Sequence, residues 1–380
     1  MNRPSVNLDE LRDQIDATDQ ALLSILKQRL ELVHAVGEYK RQYGLPVYVP
    51  EREAAMLAKR REEAEGLGVP PDLIEDILRR AMRESYSCEN DAGFKQVNPQ
   101  AGDIVVVGGN GKLGKLFVKM FRLSGYSVKV LGREDWHQAE QLVANASVVV
   151  VSVPIDKTEE TIARLPKLPA DCVLTDLTSV KQAPMKAMLA AHDGPVVGLH
   201  PMFGPDIKSF AKQVIIYCDG RGAEHYQWLL QQMKLWGPRL HESDGKEHDE
   251  TMSMVQALRH FTSFAYGMHL QNEDADLSRL LAFSSPIYRL ELAMVGRLFA
   301  QDGELYASII TAAPENIKMF KRYLRNFSSA LTLLEQGERE AFVEKFNEVA
   351  DWFGDFATQF QRESRDLLLA AHDRVSHDQE

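Results

Sequence analysis

The chain has 380 residues, enough for two or three domains with separate cores. Its hydrophobic content of 44% and charged content of 26% are those of an ordinary soluble globular protein. A formal charge of -11 argues against nucleic acid or an anionic membrane surface as the main partner, so an anionic substrate must be held by particular Arg and Lys residues.

Residues 5 to 42 carry Leu8, Leu11, Ile15, Leu22, Leu26, Val33 and Val36 at mostly three- and four-residue steps, which predicts one long amphipathic helix ended by Gly44 and Pro46. Pro50 lies near the first turn of a second helix, with Met56 and Leu57 apolar, which Gly66-Leu67-Gly68 breaks. Pro70-Pro71 opens a third, with Leu73, Ile74, Ile77, Leu78, Ala81 and Met82 on one side. The polar stretch from Cys88 to Gly102 reads as a linker.

From residue 103 short β-branched runs alternate with helices. Ile104 to Val107, Ser127 to Leu131, Val148 to Val153, Cys172 to Asp176, Val196 to Leu199 and Val214 to Cys218 read as strands of a largely parallel sheet, the last a candidate edge strand. After Gly245 no strand signal returns, and residues 247 to 272, 277 to 300 and 303 to 370 have helical periodicity suited to a bundle or a dimerisation domain.

Cys88, Cys172 and Cys218 lack CxxC spacing, which fits packing residues in a reducing compartment and gives no zinc signature; no metal is expected. No basic-then-apolar leader opens the chain and no apolar run approaches eighteen residues, so the expected location is the cytoplasm, away from membranes.

The first strand runs into Gly109-Asn110-Gly111-Lys112-Leu113-Gly114. The three glycines suit a tight turn, backbone approach to a pyrophosphate, and close packing of the next helix, whose free N–H groups face the phosphates. A strand before and a helix then a second strand after make this a dinucleotide site. At the second strand's end stands Leu131-Gly132-Arg133-Glu134-Asp135. Gly132 and Arg133 suit the 2′-phosphate of NADP, whereas Glu134 or Asp135 suits the ribose of NAD, so the choice stays open. His200 ends the fifth strand, where a ligand crevice is expected; it reads equally as a general base or as a capping histidine. Ser179 follows the fourth strand, as a hydrogen-bonding residue of that cleft or a helix cap.

GGNGKLG, SVPI, DLTSVK, GLHPMFGPD, QALRHF and SSPIYRLELAMVGRLFAQD together resemble the bifunctional chorismate mutase–prephenate dehydrogenase family, the T-proteins of tyrosine biosynthesis, over essentially the whole chain. The resemblance implies a multidomain chain. Residues 1–90 would be an all-α chorismate mutase of three helices in an intertwined dimer, and 91–102 a linker. Residues 103–244 would be an α/β Rossmann-type dinucleotide-binding domain, and 245–380 an all-α substrate-binding and dimerisation domain.

It implies pericyclic conversion of chorismate to prephenate, then NAD-dependent oxidative decarboxylation of prephenate to 4-hydroxyphenylpyruvate, by a homodimer under tyrosine feedback. Gly109, Gly111, Lys112, Leu113, Gly114, Arg133, Ser152 and Pro154 would meet the cofactor. His200 matches the family's catalytic histidine, Ser179 a serine near the substrate hydroxyl, and Arg297 the prephenate-binding arginine. His260 lies in a matching segment and reads better as a buried structural residue. In the mutase, Lys40 and Glu89 would face the breaking ether oxygen, with Arg12, Arg29, Arg52, Glu53 and Ser85 binding substrate; without the resemblance these charges would read as a solvated face.

Helix geometry puts Arg29 and Lys40 on one face, about 16 Å apart, and Arg12 about 25 Å from Arg29 and off that face. Arg12 is therefore expected to enter a partner's site across a two-fold axis. Two other readings are a dehydrogenase with an inactive mutase-like domain, and a nicotinamide or tyrosine sensor without turnover.

Overall fold

A computed structural model describes residues 7–372; the start of the first predicted helix at residues 5 and 6 lies outside them. The chain divides into two compact units, Met1–Lys246 and Glu247–Glu380.

The first unit begins with helix α1 (Leu8–Tyr43), whose 36 residues span about 54 Å. Asn7 caps it by accepting the Asp9 N–H at 3.1 Å, and Gly44 ends it in the left-handed conformation at φ 68°. Helices α2 (Pro50–Gly66) and α3 (Pro71–Asp91) follow. The third helix continues beyond Cys88, where the linker was expected to start, because nothing in Ser-Cys-Glu-Asn-Asp breaks a helix before Gly93. Within one chain most of the apolar stripe of α1 is exposed, including Leu8, Leu11, Ile15, Leu22 and Val36; Val33 and Gly37 are its buried residues.

Alternating strands and helices then build a sheet from β1 (Asp103–Val107), α4 (Lys112–Leu123), β2 (Val128–Leu131), α5 (Ala139–Val143), β3 (Ala146–Val151), α6 (Thr158–Ala163), β4 (Val173–Asp176), α7 (Gln182–Ala191), β5 (Val196–Pro201), β6 (Val214–Arg221), α8 (Ala223–Trp236) and β7 (Arg239–Glu242). The order is β2-β1-β3-β4-β5-β6-β7. Strands β1 to β5 are mutually parallel where they pair; the apolar runs of β1, β3, β4 and β5 are buried on both faces, while β2 at the edge is partly exposed. The loop from β5 to β6 contains no helix, so β6 returns antiparallel, with His200 opposite Ile216.

The sequence reading made β6 a candidate edge, but β7 lies outside it, parallel. Arg239-Leu-His-Glu242 has no apolar alternation, because backbone pairing rather than burial holds this strand, so it gave no strand signal. An aromatic cluster of Phe117, Phe121, Phe210 and Trp236 packs between sheet and helices, with Trp236 Nε1 donating to Ser124 Oγ at 2.9 Å.

The segment between α3 and β1 is packed rather than loose. Phe94 is buried and its N–H donates to the Leu123 carbonyl at 2.9 Å, while the Val97 N–H donates to Gln232 Oε1 at 3.0 Å. Val47, between α1 and α2, donates its N–H to the Leu235 carbonyl of α8 at 3.1 Å. The helical segment thus shares a core with the sheet: Val47, Leu57, Met82 and Tyr86 belong to the same apolar cluster as Phe117 and Trp236.

Helix α9 (Gly245–Met252) begins in the last two residues of the first unit, and the second unit continues with a π-helical turn over Ser253–Leu258, α10 (Arg259–Asn272), α11 (Leu277–Ala282), α12 (Pro286–Phe299), α13 (Gly303–Thr311), α14 (Pro314–Glu335), α15 (Arg339–Phe353) and α16 (Asp355–His372). The helical run expected from 303 to 370 is broken three times, at Ala312-Ala313-Pro314, at Gly337 and at Gly354. Phe261 of α10 stacks on Phe320 of α14 at 4.4 Å. Between α10 and α12 lies a cleft of about 690 Å³ lined by Phe264, Met268, Leu292, Val295 and Phe299. No helix among the described residues is long and apolar enough to cross a membrane.

Candidate functional site

Three helices bring one set of charges together. Gly37 lets α3 approach closely: a Cβ there would lie 3.2 Å from Ala92 Cβ and 3.3 Å from Glu89 Cα. One turn on, Lys40 Nζ donates to Glu89 Oε2 and to the Val47 carbonyl, both at 2.7 Å. Three turns earlier, Arg29 Nη1 donates to Ser85 Oγ at 2.7 Å, and Ser85 Oγ donates to the Ala81 carbonyl at 2.8 Å. Arg29 and Lys40 therefore meet Ser85 and Glu89, which stand one turn apart on α3.

The Lys40 and Glu89 side chains are only 15% and 6% exposed. Burial pushes the Glu89 carboxyl above the usual carboxylate range, against the opposing pull of Lys40, Arg52 and Arg29. Arg52, exposed in the first turn of α2, thus acts on the same carboxyl through space.

Glu53 is buried beside this group and fully engaged: Tyr86 Oη donates to it at 2.5 Å, Lys212 Nζ at 2.5 Å and Arg79 Nη1 at 3.4 Å. Arg12 stays apart. It is exposed and pairs with Asp9 at 3.3 Å.

At the dinucleotide end, the glycine turn leads into α4 with no side-chain cap and no acidic residue in its first turn, so the N–H groups of Lys112, Leu113 and Gly114 are suited to an anion. A Cβ at Gly114 would lie 2.6 Å from the Gly108 carbonyl, so helix and turn could not close around a larger residue. The turn sits between β1 and its neighbours β2 and β3, where the strand order reverses. Ser152, just beyond β3, donates its N–H to the Val107 carbonyl at 2.8 Å, and the Pro154 carbonyl accepts from Thr158 Oγ1 at 3.1 Å. At the end of β2, Asp135 Oδ2 accepts the Gly132 N–H at 2.8 Å, so a carboxylate stands at the glycine that was one candidate for a 2′-phosphate; Arg133 is exposed.

His200 is 2% exposed near the carboxyl end of β5, and Ser179 is half-buried in the bend after the adjacent β4. Lys181 ties these ends together. Its fully buried ammonium donates to Asp176 Oδ2 at 2.5 Å and to the Leu199 carbonyl at 2.8 Å, next to His200. Asp176 Oδ1 is buried with no hydrogen-bond partner.

In the second unit Arg297 is exposed on α12. His260 is half-buried, edge-on to Tyr306 at 4.8 Å, and burial with the Arg259 charge pushes its imidazole down to about 4, which keeps it neutral. Among the described residues no cluster of His, Cys, Asp or Glu is arranged to hold a metal ion.

Comparison with known proteins fits this two-part layout. The chain matches the chorismate mutase type II family over residues 11–90. It matches the prephenate dehydrogenase nucleotide-binding domain over 127–239 and the prephenate dehydrogenase dimerization domain over 244–348. It is 61% identical to a T-protein of Enterobacter agglomerans, covering 96% of this chain and 98% of that one. The chain belongs to the T-protein family. A second T-protein, from Haemophilus influenzae, is 54% identical over 96% of this chain and 97% of its own. A solved prephenate dehydrogenase from A. aeolicus, in complex with hydroxyphenyl propionate and NAD+, shares the fold at a TM-score of 0.56 and 18% identity, over 67% of this chain and 98% of that one.

As a T-protein the chain is a bifunctional enzyme of tyrosine biosynthesis, which rearranges chorismate to prephenate and oxidatively decarboxylates prephenate to 4-hydroxyphenylpyruvate. Sequence reasoning on this T-protein did not single out Lys181, Asp176, Tyr86, Arg79 or Lys212. The first two stand five residues apart in the DLTSVK segment, at the end of β4 and in the bend after it. Lys212 had no such signal, since its partner is 159 residues away.

Proposed function

We propose that mutase catalysis rests on Arg29, Lys40, Arg52, Glu53, Ser85 and Glu89 of one chain with Arg12 of a second copy. The observation that carries this reading is the buried convergence of Lys40 and Arg29 on α3. A pericyclic rearrangement needs no nucleophile; it needs the dicarboxylate held compactly and donors at the breaking ether oxygen. Arginines serve the carboxylates. Lys40 has three N–H donors, of which Val47 and Glu89 take two, and the third serves the ether oxygen.

Glu89 can donate to that oxygen only when protonated, and burial favours that form. Its raised value means that the donor is present at low pH and lost as pH rises through the folded-state value. Mutase kcat/KM is therefore expected to fall with rising pH, and Glu89→Gln, which donates at every pH, should flatten the profile. An unchanged slope in that variant, followed by chorismate disappearance, would contradict the role.

For the dehydrogenase, the cofactor is NAD, held by Gly109, Gly111, Lys112, Leu113 and Gly114 with Ser152 and Pro154 alongside. When bound, it supplies the acceptor for the hydride from ring C4. His200 takes or polarises the proton of the C4 hydroxyl, Ser179 hydrogen-bonds near that hydroxyl, and Arg297 pairs with a substrate carboxylate. Departure of the ring carboxylate as carbon dioxide leaves an aromatic ring, which makes the step effectively irreversible.

Asp135 favours NAD, because its carboxylate at the end of β2 repels a 2′-phosphate and can accept from ribose hydroxyls. Asp135→Asn should lower the NAD-to-NADP preference by on the order of tenfold, with Arg133 as the new phosphate partner. Equal preference ratios in variant and parent would remove Asp135 from this role.

The working form is a cytoplasmic homodimer with tyrosine as feedback ligand. The exposed stripe of α1 and the apolar cleft between α10 and α12 support a second copy. We propose the bounds 1–90, 91–102, 103–244 and 245–380 for its parts. The decisive assay incubates the protein with prephenate and either nucleotide, and separately with chorismate alone. Nucleotide reduction in the first and chorismate loss in the second are expected; failure of the second alone would leave a dehydrogenase with an inactive mutase-like domain.

A further inference from the structure

We propose that Lys212, which lies just before β6 in the dinucleotide-binding part, is a positioning residue of the mutase site: it neutralises and orients Glu53 so that a dicarboxylate can bind beside it. This rests on the reading of Glu53 as a mutase substrate residue. Glu53 is a buried carboxylate whose neighbourhood must accept a doubly negative substrate. Left alone it would repel that substrate, and its desolvation would be uncompensated.

Of its three donors Tyr86 is a neutral phenol, Arg79 stands at 3.4 Å and is shared with Glu75, and Lys212 brings a full charge to 2.5 Å. The Lys212 ammonium also lies 5.4 Å and 5.8 Å from the ring centroids of Tyr48 and Tyr86, whose faces hold it over the carboxylate.

The backbone argues the same way. Lys212 has φ 67°, in the left-handed region that favours glycine, and it is one of only two non-glycine residues with positive φ among those described. Local backbone preference therefore does not account for a lysine here, whereas the reach of its Nζ does. The loop is pinned from its own side, with the Lys212 N–H donating to the Gly237 carbonyl at 3.3 Å and the Gln213 N–H to the Phe210 carbonyl at 3.0 Å. A residue of the dehydrogenase half is thereby fixed over a mutase carboxylate.

The test is a double-mutant cycle in the full-length protein with Lys212→Gly and Glu53→Gln, assayed by chorismate disappearance and by prephenate-dependent NAD reduction. Glycine suits the backbone at this position, so the substitution relieves rather than creates strain. Lys212→Gly should raise the chorismate KM about tenfold, the order of one charge-assisted hydrogen bond, with kcat within about twofold and prephenate oxidation unchanged. Lys212→Arg, which keeps the charge, should stay within about threefold of the parent KM.

In the Glu53→Gln background no carboxylate remains to neutralise, so Lys212→Gly should add nothing. An equal increase in KM in both backgrounds, or a parallel loss of prephenate oxidation, would overturn the proposal by showing a general structural role. If Glu53→Gln impairs the mutase while Lys212→Gly does not, the proposal fails and the reading of Glu53 stands. If Glu53→Gln leaves the mutase unaffected, the reading of Glu53 fails and takes the proposal with it.

Discussion

Replacing His200 by Asn is expected to lower prephenate-dependent NAD reduction by about 10²- to 10⁴-fold, the range for loss of a positioned acid–base group, while chorismate consumption continues. Asparagine keeps a polar group of similar reach but cannot take a proton near neutrality. The side chain is almost wholly buried on β5, so its loss of basicity cannot be replaced by bulk water at the same place. Lys181 and the Leu199 carbonyl keep the strand end in position without the imidazole, so the variant should retain its fold. Stopped assays for chorismate and spectrophotometric assays for reduced nucleotide read the two activities separately. Loss of both activities together would show that the two centres are not separable in this way.

Replacing Lys40 by Met should lower mutase kcat by about 10²- to 10³-fold or more, as for removal of a preorganised donor to developing charge, with prephenate oxidation retained. Methionine matches the length of the lysine stem but leaves Glu89 without its ammonium partner. An unpaired, buried carboxyl responds by remaining protonated, at some cost in stability. The double variant Lys40→Met, Glu89→Gln removes that carboxyl and should fold as the parent does while staying inactive as a mutase. Thermal melts together with chorismate assays distinguish the cases. Substantial mutase activity in a folded double variant would show that Lys40 does not serve the ether oxygen. Lys40→Arg is not expected to rescue, because a planar fork cannot reproduce the bonds of one ammonium to Val47 and Glu89.

Several parts of this enzyme were legible before any tertiary structure. The long helix announced itself by its three- and four-residue apolar steps, and its end by Gly44. The β-branched runs from residue 103 marked six of the seven strands of a largely parallel sheet, since strands buried on both faces need continuous apolar sequence. Arg29 and Lys40 could be placed on one face of α1 by rise and pitch alone, and their meeting with Ser85 and Glu89 is the tertiary counterpart of that spacing. Strand β7 was illegible, because an edge held by backbone pairing requires no apolar residue.

What the sequence by itself determined was the periodic and punctuated part of the protein: helices, buried strands, the glycine turn and the family its segments resemble. Those signals are local, because each depends on residues within a few positions of one another. Tertiary structure alone decided which charges become partners across long chain separations. It set Lys212 over Glu53, joined Lys40 to Glu89 and Lys181 to the Leu199 carbonyl, and buried Glu89 so that its carboxyl resists ionisation. Burial and pairing set the chemistry of an ionisable group, and both are properties of the packed chain.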